Sequence, residues 1–192
     1  MKPNKIIATL NALIDTTFNH LSPWLAKDIG LQMFRPETED RNISQILEHI
    51  SLANRYLLIL IGKGRSKALH KAGQSDFKKE LWDYQLTNPG LEQIGINNSF
   101  VWISPKHMIP TGEKTLSEIQ EELMKQRDLL HEHLSMLANG QGVLHKISMS
   151  VNSLGRLDVY QYIYFLVKHI QRHIQQMEQI ESEYERGFTT GS

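Results

Sequence analysis

Apolar side chains recur every three or four residues in four stretches of the chain, which is the spacing of the buried face of an α-helix. Glycines, prolines and charged residues interrupt the pattern between these stretches. Their approximate bounds are Asn4 to Ala26, Asn42 or Ser44 to Gly62, Leu116 to Leu137, and Asp158 to Tyr184. Helices that each have one apolar face bury it against one another, so the pattern predicts an all-α fold, a four-helix bundle.

Residues 62–114 have no comparable pattern. Pro105 and Pro110 exclude a long helix there, and only residues 75–84, with Ser75 as the N-cap, are predicted to form a short one. A strand is indicated only at Phe100 to Ile103. Irregular segments of this length inside a compact domain usually carry function or cover the core. We therefore predict a lid segment over one end of the bundle, between helices 2 and 3.

The length and charge of the chain indicate a single domain that does not bind nucleic acid. The 192 residues suffice for a single domain, predicted over residues 1–186 with a disordered tail over residues 187–192. The basic residues and the acidic residues each number 21, so the formal net charge is zero. A nucleic-acid partner is not expected, because proteins that hold nucleic acid need a basic surface.

The chain shows no sign of a membrane or secreted protein. No stretch approaches the ~18 uninterrupted apolar residues of a membrane span, and the N-terminal residues lack the features of a signal peptide. We therefore predict no membrane partner and a cytoplasmic location. There is no cysteine, which excludes disulfides, thiolate nucleophiles and thiolate metal ligands.

Three histidines fall on predicted buried faces. In the fourth helix, His169 and His173 are four residues apart, so their imidazoles emerge on one side and can converge on one divalent ion. In the second helix, His49 falls on the inner face of the bundle. The two faces consist of Tyr162, Leu166, His169, His173, Met177, Ile180 and Tyr184, and of Asn42, Ile46, His49, Ala53, Tyr56 and Leu60. Because bundles often build metal sites from facing helices, we predict that these three histidines are metal ligands.

The alternative is that these histidines are hydrogen-bonded core residues, since a pair four residues apart also arises by chance. Three buried imidazoles without an ion would leave several ring nitrogens in need of partners, which favours the metal site. His131 and His133 point to different faces of the third helix and are expected on its solvated surface. His107 could overhang the site from the lid. Gln45 and Gln176, each one turn from a ligand, are candidates to orient the imidazoles.

Two runs of sequence resemble a known family. The fourth-helix run SLGRLDVYQYIYFLVKHIQRHIQQMEQI closely resembles the signature of the DinB-like superfamily of damage-inducible, YfiT-like metal-binding bundles. The matching positions are Leu154-Gly155, Asp158, Phe165, His169, His173 and Gln176. The second-helix run ISQILEHISLANRYL resembles that family's other ligand segment and places His49 at its histidine. The run SPKHMIPTGEKTLSEIQEELMKQRDLL also resembles the family's proline-marked approach to its third helix.

The resemblance implies a four-helix bundle that binds nickel or zinc through three histidines, with water completing the coordination. Some members of that family are thiol S-transferases or isomerases that use a low-molecular-weight thiol cofactor such as bacillithiol or mycothiol. The implied function is thus a metal-dependent transferase or isomerase acting on a small-molecule substrate. The alternative is a noncatalytic bundle with a structural ion that acts as a binding module or forms a homodimer. An open pocket above the metal, lined by residues 100–110, would favour the enzyme.

Overall fold

The computed structural model describes residues 1–37, 39–74, 77–101 and 105–189. Within these residues the chain forms α1 (Pro3–Leu21), α2 (Ile29–Met33), α3 (Ile43–Ala72), α4 (Lys78–Trp82), α5 (Pro89–Ile94), α6 (Leu116–Met136) and α7 (Val159–Thr189). Two strands, β1 (Lys146–Met149) and β2 (Gly155–Asp158), precede α7. Short 3₁₀ helices lie at Ser22–Ala26, Lys106–Met108, Gln141–Leu144 and Val151–Ser153.

The four long helices α1, α3, α6 and α7 form a bundle, which confirms the predicted fold class. α3 packs against α6 and α7, and α1 packs against the same two helices. The buried apolar side chains of all four make one continuous core. α3 and α6 begin at capping boxes, in which Asn42 and Thr115 each accept a hydrogen bond from the third helical residue. In the described part of the chain, no helix is long and apolar enough to cross a membrane.

The predicted end of the second helix at Gly62 is wrong, because α3 continues to Ala72. Glycine inside a helix costs only about 1 kcal/mol relative to alanine, and packing offsets this cost here. A Cβ atom on Gly64 would lie 2.6 Å from the Cδ1 atom of Ile147 in β1. The glycine therefore allows the strand to approach α3 closely, and it does not end the helix.

A β-hairpin precedes α7, and the sequence pattern did not predict it. β1 and β2 pair antiparallel, with Lys146 opposite Asp158 and Met149 opposite Gly155. Each strand has only four residues, which is too short for a clear alternation of apolar and polar positions. At the strand predicted for residues 100–103, Phe100 and Val101 are not in a strand, and the other two residues lie outside the described part of the chain.

The segment between α3 and α6 is irregular, as predicted, but it begins only after Ala72. α4 lies within the predicted short helix, whereas its proposed cap, Ser75, falls outside the described residues. α5 packs against α7, and the 3₁₀ helix Lys106–Met108 packs against α3. α7 extends to Thr189 and so includes residues 187–189 of the predicted tail. Residues 190–192 lie outside the described residues.

Candidate metal centre

The structure brings all three predicted ligand histidines together. His49 comes from α3, whereas His169 and His173 come from neighbouring turns of α7, and all three side chains are buried. One possible ligand atom from each histidine lies within 4.8 Å of the other two. The Nε2 atoms of His169 and His173 are 3.0 Å apart. Nitrogens that share an ion at ~2.0–2.1 Å lie about 3–3.5 Å apart, so this pair already has the required spacing.

The His49 ring lies slightly farther from the other two. Its centroid is 4.8 Å from that of His173 and 5.5 Å from that of His169, compared with 4.4 Å between the two rings of α7. The ring of Phe165 stacks on His169 with an interplanar angle of 11° and a centroid distance of 6.5 Å. This contact adds an apolar wall on one side of the cluster.

Hydrogen bonds fix the tautomer of two of these histidines. The Nδ1–H of His173 donates to Oε1 of Gln176 at 2.5 Å, and the Nδ1–H of His49 donates to the carbonyl oxygen of Met108 at 2.6 Å. Because both acceptors are oxygens, Nδ1 carries the proton in each ring and Nε2 keeps its lone pair. This is the form in which an imidazole binds a metal ion, with an oxygen acceptor behind it that holds the ring in place.

Of the two glutamines predicted to orient the imidazoles, only Gln176 does so. Oε1 of Gln45 instead accepts a hydrogen bond from the backbone N–H of Asn42 at 3.2 Å, which completes the capping box of α3. The acceptor for His49 is a backbone carbonyl in the lid segment. No side-chain signal marks such a group, and sequence patterns therefore could not identify Met108.

Burial keeps the three imidazoles neutral. It lowers the pKa of His49 from 6.5 to about 4 and holds the pKa values of His169 and His173 well below the ordinary imidazole value. The cationic side chain of Arg172 lowers all three pKa values further. Near neutral pH each ring thus presents an unprotonated nitrogen, which a metal ion requires.

A cavity of about 230 Å³ borders His49 and His169. Its apolar walls come from α3, α7 and the hairpin, and its polar groups are side chains such as Tyr56 and Tyr162. His107 also lines it from the lid segment, with its ring centroid 4.6 Å from that of Tyr56. His107 thus lies beside the histidine cluster, as its position in the lid segment allowed. Tyr56 does not belong to the buried face of α3, because it is 40% exposed beside this cavity.

A second cavity, of about 200 Å³, borders His49 and His173. Arg41, Arg172 and Gln176 line it together with acidic residues of the loop before α3. His49 lines both cavities, so the cluster can be approached along two routes. One route is mostly apolar and aromatic, and the other is charged.

Glu48, the residue before His49, fastens the lid segment to α3. Its Oε1 accepts hydrogen bonds from the backbone N–H and the hydroxyl of Thr111 at 3.1 and 3.0 Å, and its Oε2 accepts one from the N–H of Gly112 at 2.8 Å. The carboxylate is buried. Glu48 and the next residue, His49, thus both hold the lid segment against α3, because His49 donates a hydrogen bond to the carbonyl oxygen of Met108. The sequence analysis missed this role, because no motif links Glu48 to residues so distant along the chain.

Replacing Glu48 with alanine is expected to release this loop. The loss of three hydrogen bonds to a carboxylate should lower the free energy of unfolding by about 2–4 kcal/mol, measured by urea denaturation. Zinc affinity should fall about tenfold or more, because the carbonyl behind His49 is no longer held. Glu48→Gln, which keeps one oxygen acceptor, should give intermediate values. Glu121→Ala, at an exposed position of α6, is the control, and equal losses in both alanine variants would contradict this role.

The expectation that His131 and His133 both lie on the solvated face of their helix is wrong for His133. The two side chains do point to different faces, but His133 is only 3% exposed and its Nδ1 accepts a hydrogen bond from the Arg65 guanidinium at 3.0 Å. His131 bonds to Asn11 and Asp15 of α1. The ring of His133 is buried because it packs against α3, where a Cβ atom at Gly62 would lie in ordinary contact with it, at 3.6 Å.

Comparison with models of known protein families gives a match. A family model described as the DinB superfamily matches residues 32–177. The matched range contains α3, the lid segment, α6, the hairpin and most of α7, and therefore all three histidines of the cluster. Searches of curated proteins and of solved structures give no match.

Proposed function

The chain belongs to the DinB superfamily, and we propose that it binds one zinc or nickel ion through His49, His169 and His173 and is a metal-dependent enzyme. We further propose that it transfers or isomerises a small molecule with the help of a low-molecular-weight thiol cofactor. The observation that carries the proposal is the convergence of three buried imidazoles beside an open cavity.

The donor set suits such an ion. Imidazole ligands favour zinc, nickel, copper and iron over magnesium and calcium, which prefer oxygen. No carboxylate joins the three histidines among the residues that the structure describes. Three protein ligands leave at least one coordination position open, as in catalytic zinc sites. When bound, the ion would act as a Lewis acid that lowers the pKa of a thiol or water molecule at that position.

The surrounding residues supply positioning, exclusion of water and charged groups. Met108 and Gln176 hold the rings of His49 and His173 in the orientation that ligation needs. The apolar walls around Phe165 exclude water from one side of the cluster. Arg41 and Arg172 line the other side together with Glu39 and Asp40, so that cavity offers charged groups of both signs to a reactant.

Two further features fit a thiol-dependent transfer. A transferase must hold two reactants, and the cluster borders two cavities of different polarity. The chain has no cysteine, so the sulfur must come from a cofactor. His107 lies in the wall of the first cavity, where its imidazole can exchange a proton with a bound reactant.

The thiol reaction can be tested with zinc- or nickel-loaded protein. Bacillithiol, mycothiol, glutathione and coenzyme A would each be incubated with 1-chloro-2,4-dinitrobenzene, and loss of free thiol would be followed. We expect at least one thiol to be consumed faster than without protein, and His173→Ala to abolish the acceleration. His70→Ala, at an exposed position outside the cluster, should retain it. Protein that holds its metal but accelerates no thiol reaction would contradict the transferase proposal and leave the metal site standing.

The orienting glutamine provides a sharper test of the metal site itself. Gln176→Ala should weaken zinc binding about 10–100-fold, because the acceptor that orients His173 is lost. Gln45→Ala should leave zinc affinity unchanged, since Gln45 caps α3. Competition with a zinc-binding dye measures both. Equal affinities of the two variants would show that Gln176 does not support a ligand.

A further inference from the structure

A groove of about 530 Å³ lies between α3 and α6, and none of its lining residues borders the two cavities of the metal centre. Leu58, Ile59 and Leu129 form an apolar floor. Among the described residues, no acidic side chain lines the groove, whereas four cationic ones do, namely Arg55, Lys63, Arg65 and Lys125. Lys125 also lies 3.7 Å from Glu121, outside the lining. The groove therefore combines an apolar surface with cations whose charge is only partly compensated.

Arg65 is the central cation of this groove, and its charge is poorly compensated. Its side chain is only 20% exposed. One terminal nitrogen donates to Nδ1 of His133 and to the sulfur of Met136, both at 3.0 Å. The one carboxylate within ion-pair distance in the described chain is that of Glu132, at 3.7 Å. Its Nε–H is buried without a hydrogen-bond partner among the described residues. Burying a guanidinium without a hydrogen-bonded counter-ion is unfavourable.

His133 adds a second buried donor. A guanidinium can only donate hydrogen bonds, so Nδ1 of His133 must accept, and the neutral ring carries its proton on Nε2. That Nε2–H is buried and has no partner among the described residues. Burial and the neighbouring Arg65 lower the pKa of His133, which agrees with a neutral ring. Gln126, at the same surface, has an unpaired acceptor oxygen, which a bound water molecule can satisfy.

We propose that this groove binds an amphipathic organic anion, with its oxyanion head at Arg65 and its apolar body along Leu58, Ile59 and Leu129. Charge complementarity favours this occupant, since the four charged side chains of the lining are all cationic and the nearest carboxylate to Arg65 is 3.7 Å away. The apolar floor favours a ligand with a hydrocarbon body over a free inorganic ion. A carboxylate and a phosphate monoester share the required chemistry.

Isothermal titration of the zinc-loaded protein with decanoate, below the critical micelle concentration of decanoate, tests this site. We expect decanoate and decyl phosphate to bind, and the tighter of the two identifies the preferred head group. Inorganic phosphate and decanol should each bind at least tenfold more weakly, and decyltrimethylammonium should not bind. Decanol binding as tightly as decanoate would overturn the proposal, because the positive charges would then play no part.

Substitutions locate the head group. Arg65→Gln should weaken decanoate binding at least tenfold while zinc stoichiometry stays unchanged. Because Arg65 is largely buried, its replacement could also disturb the fold. The double variant Arg55→Gln with Lys63→Gln, at two exposed positions of the groove, avoids this and should weaken decanoate binding severalfold. The matched control, Lys5→Gln/Lys79→Gln, removes two exposed positive charges elsewhere and should have no effect. Unchanged binding in both groove variants would overturn the proposal. A change of oligomeric state in sedimentation, in place of lost binding, would overturn it in favour of an interface between copies.

Discussion

Removing the metal ion with a chelator is expected to lower the melting temperature of the wild-type protein by roughly 10 °C. An ion that binds only the folded state stabilises it by mass action, by about 4 kcal/mol when its free concentration is a thousand times the dissociation constant. For a chain of this length, each kcal/mol corresponds to a shift of about 2–4 °C. Differential scanning calorimetry of zinc-loaded and chelator-treated protein measures this shift.

His173→Ala should abolish the response to the chelator. The substitution also removes a buried side chain and so lowers the melting temperature of the metal-free protein. The informative quantity is thus the difference between treated and untreated samples of each variant. His70→Ala, at an exposed position near the end of α3, should keep the full response. An unchanged chelator sensitivity in His173→Ala would remove this residue from the site.

Acidification should destabilise the metal-free protein over a window set by the buried histidines. The pKa of His49 is about 4 in the folded protein, compared with 6.5 for an ordinary imidazole. Between these two pH values the unfolded chain therefore binds a proton at His49 that the folded protein does not bind. The contribution of neutral His49 to the free energy of unfolding is complete above pH ~6.5 and is lost as pH falls toward ~4. His49 alone accounts for about 3 kcal/mol over this range. His169 and His173, whose pKa values are also lowered, act in the same direction.

Urea denaturation at a series of pH values, with chelator present, measures this effect. A variant with His49→Gln, His169→Gln and His173→Gln should have a much flatter profile, because its side chains cannot be protonated. In zinc-loaded protein, the same protonation should release the ion as pH falls toward 5 or below. Zinc retained stoichiometrically at pH 4 would contradict a coordination shell made only of imidazoles.

The helical periodicity of the sequence was enough to predict the bundle and the three histidines that converge within it. His49, His169 and His173 each occupy a position on a buried helical face, and two neighbouring helices then bring them together. Local spacing defines such positions, because a helix repeats every ~3.6 residues. The contact of Gln176 with His173 could be predicted for the same reason, since the two residues lie about one turn apart.

The features that the sequence did not predict depend on contacts between distant segments. Gly62 and Gly64 indicated a helix end, but α3 continues through both, and Gly64 leaves room for Ile147 of β1. The hairpin strands are too short to show a periodic pattern. The carbonyl of Met108 and the carboxylate of Glu48 act across the lid segment, whose path no local pattern predicts.

X-ray absorption spectroscopy at the zinc edge tests the proposed metal centre most directly, because it reports the type, number and distance of the ligands. We expect a first shell of nitrogen and oxygen at ~2.0–2.1 Å, with the outer-shell scattering of three imidazoles. The His49→Ala variant, if it still holds zinc, should show two. Fewer than three imidazoles in the wild-type protein, or a spectrum that His49→Ala leaves unchanged, would contradict a site formed by His49, His169 and His173.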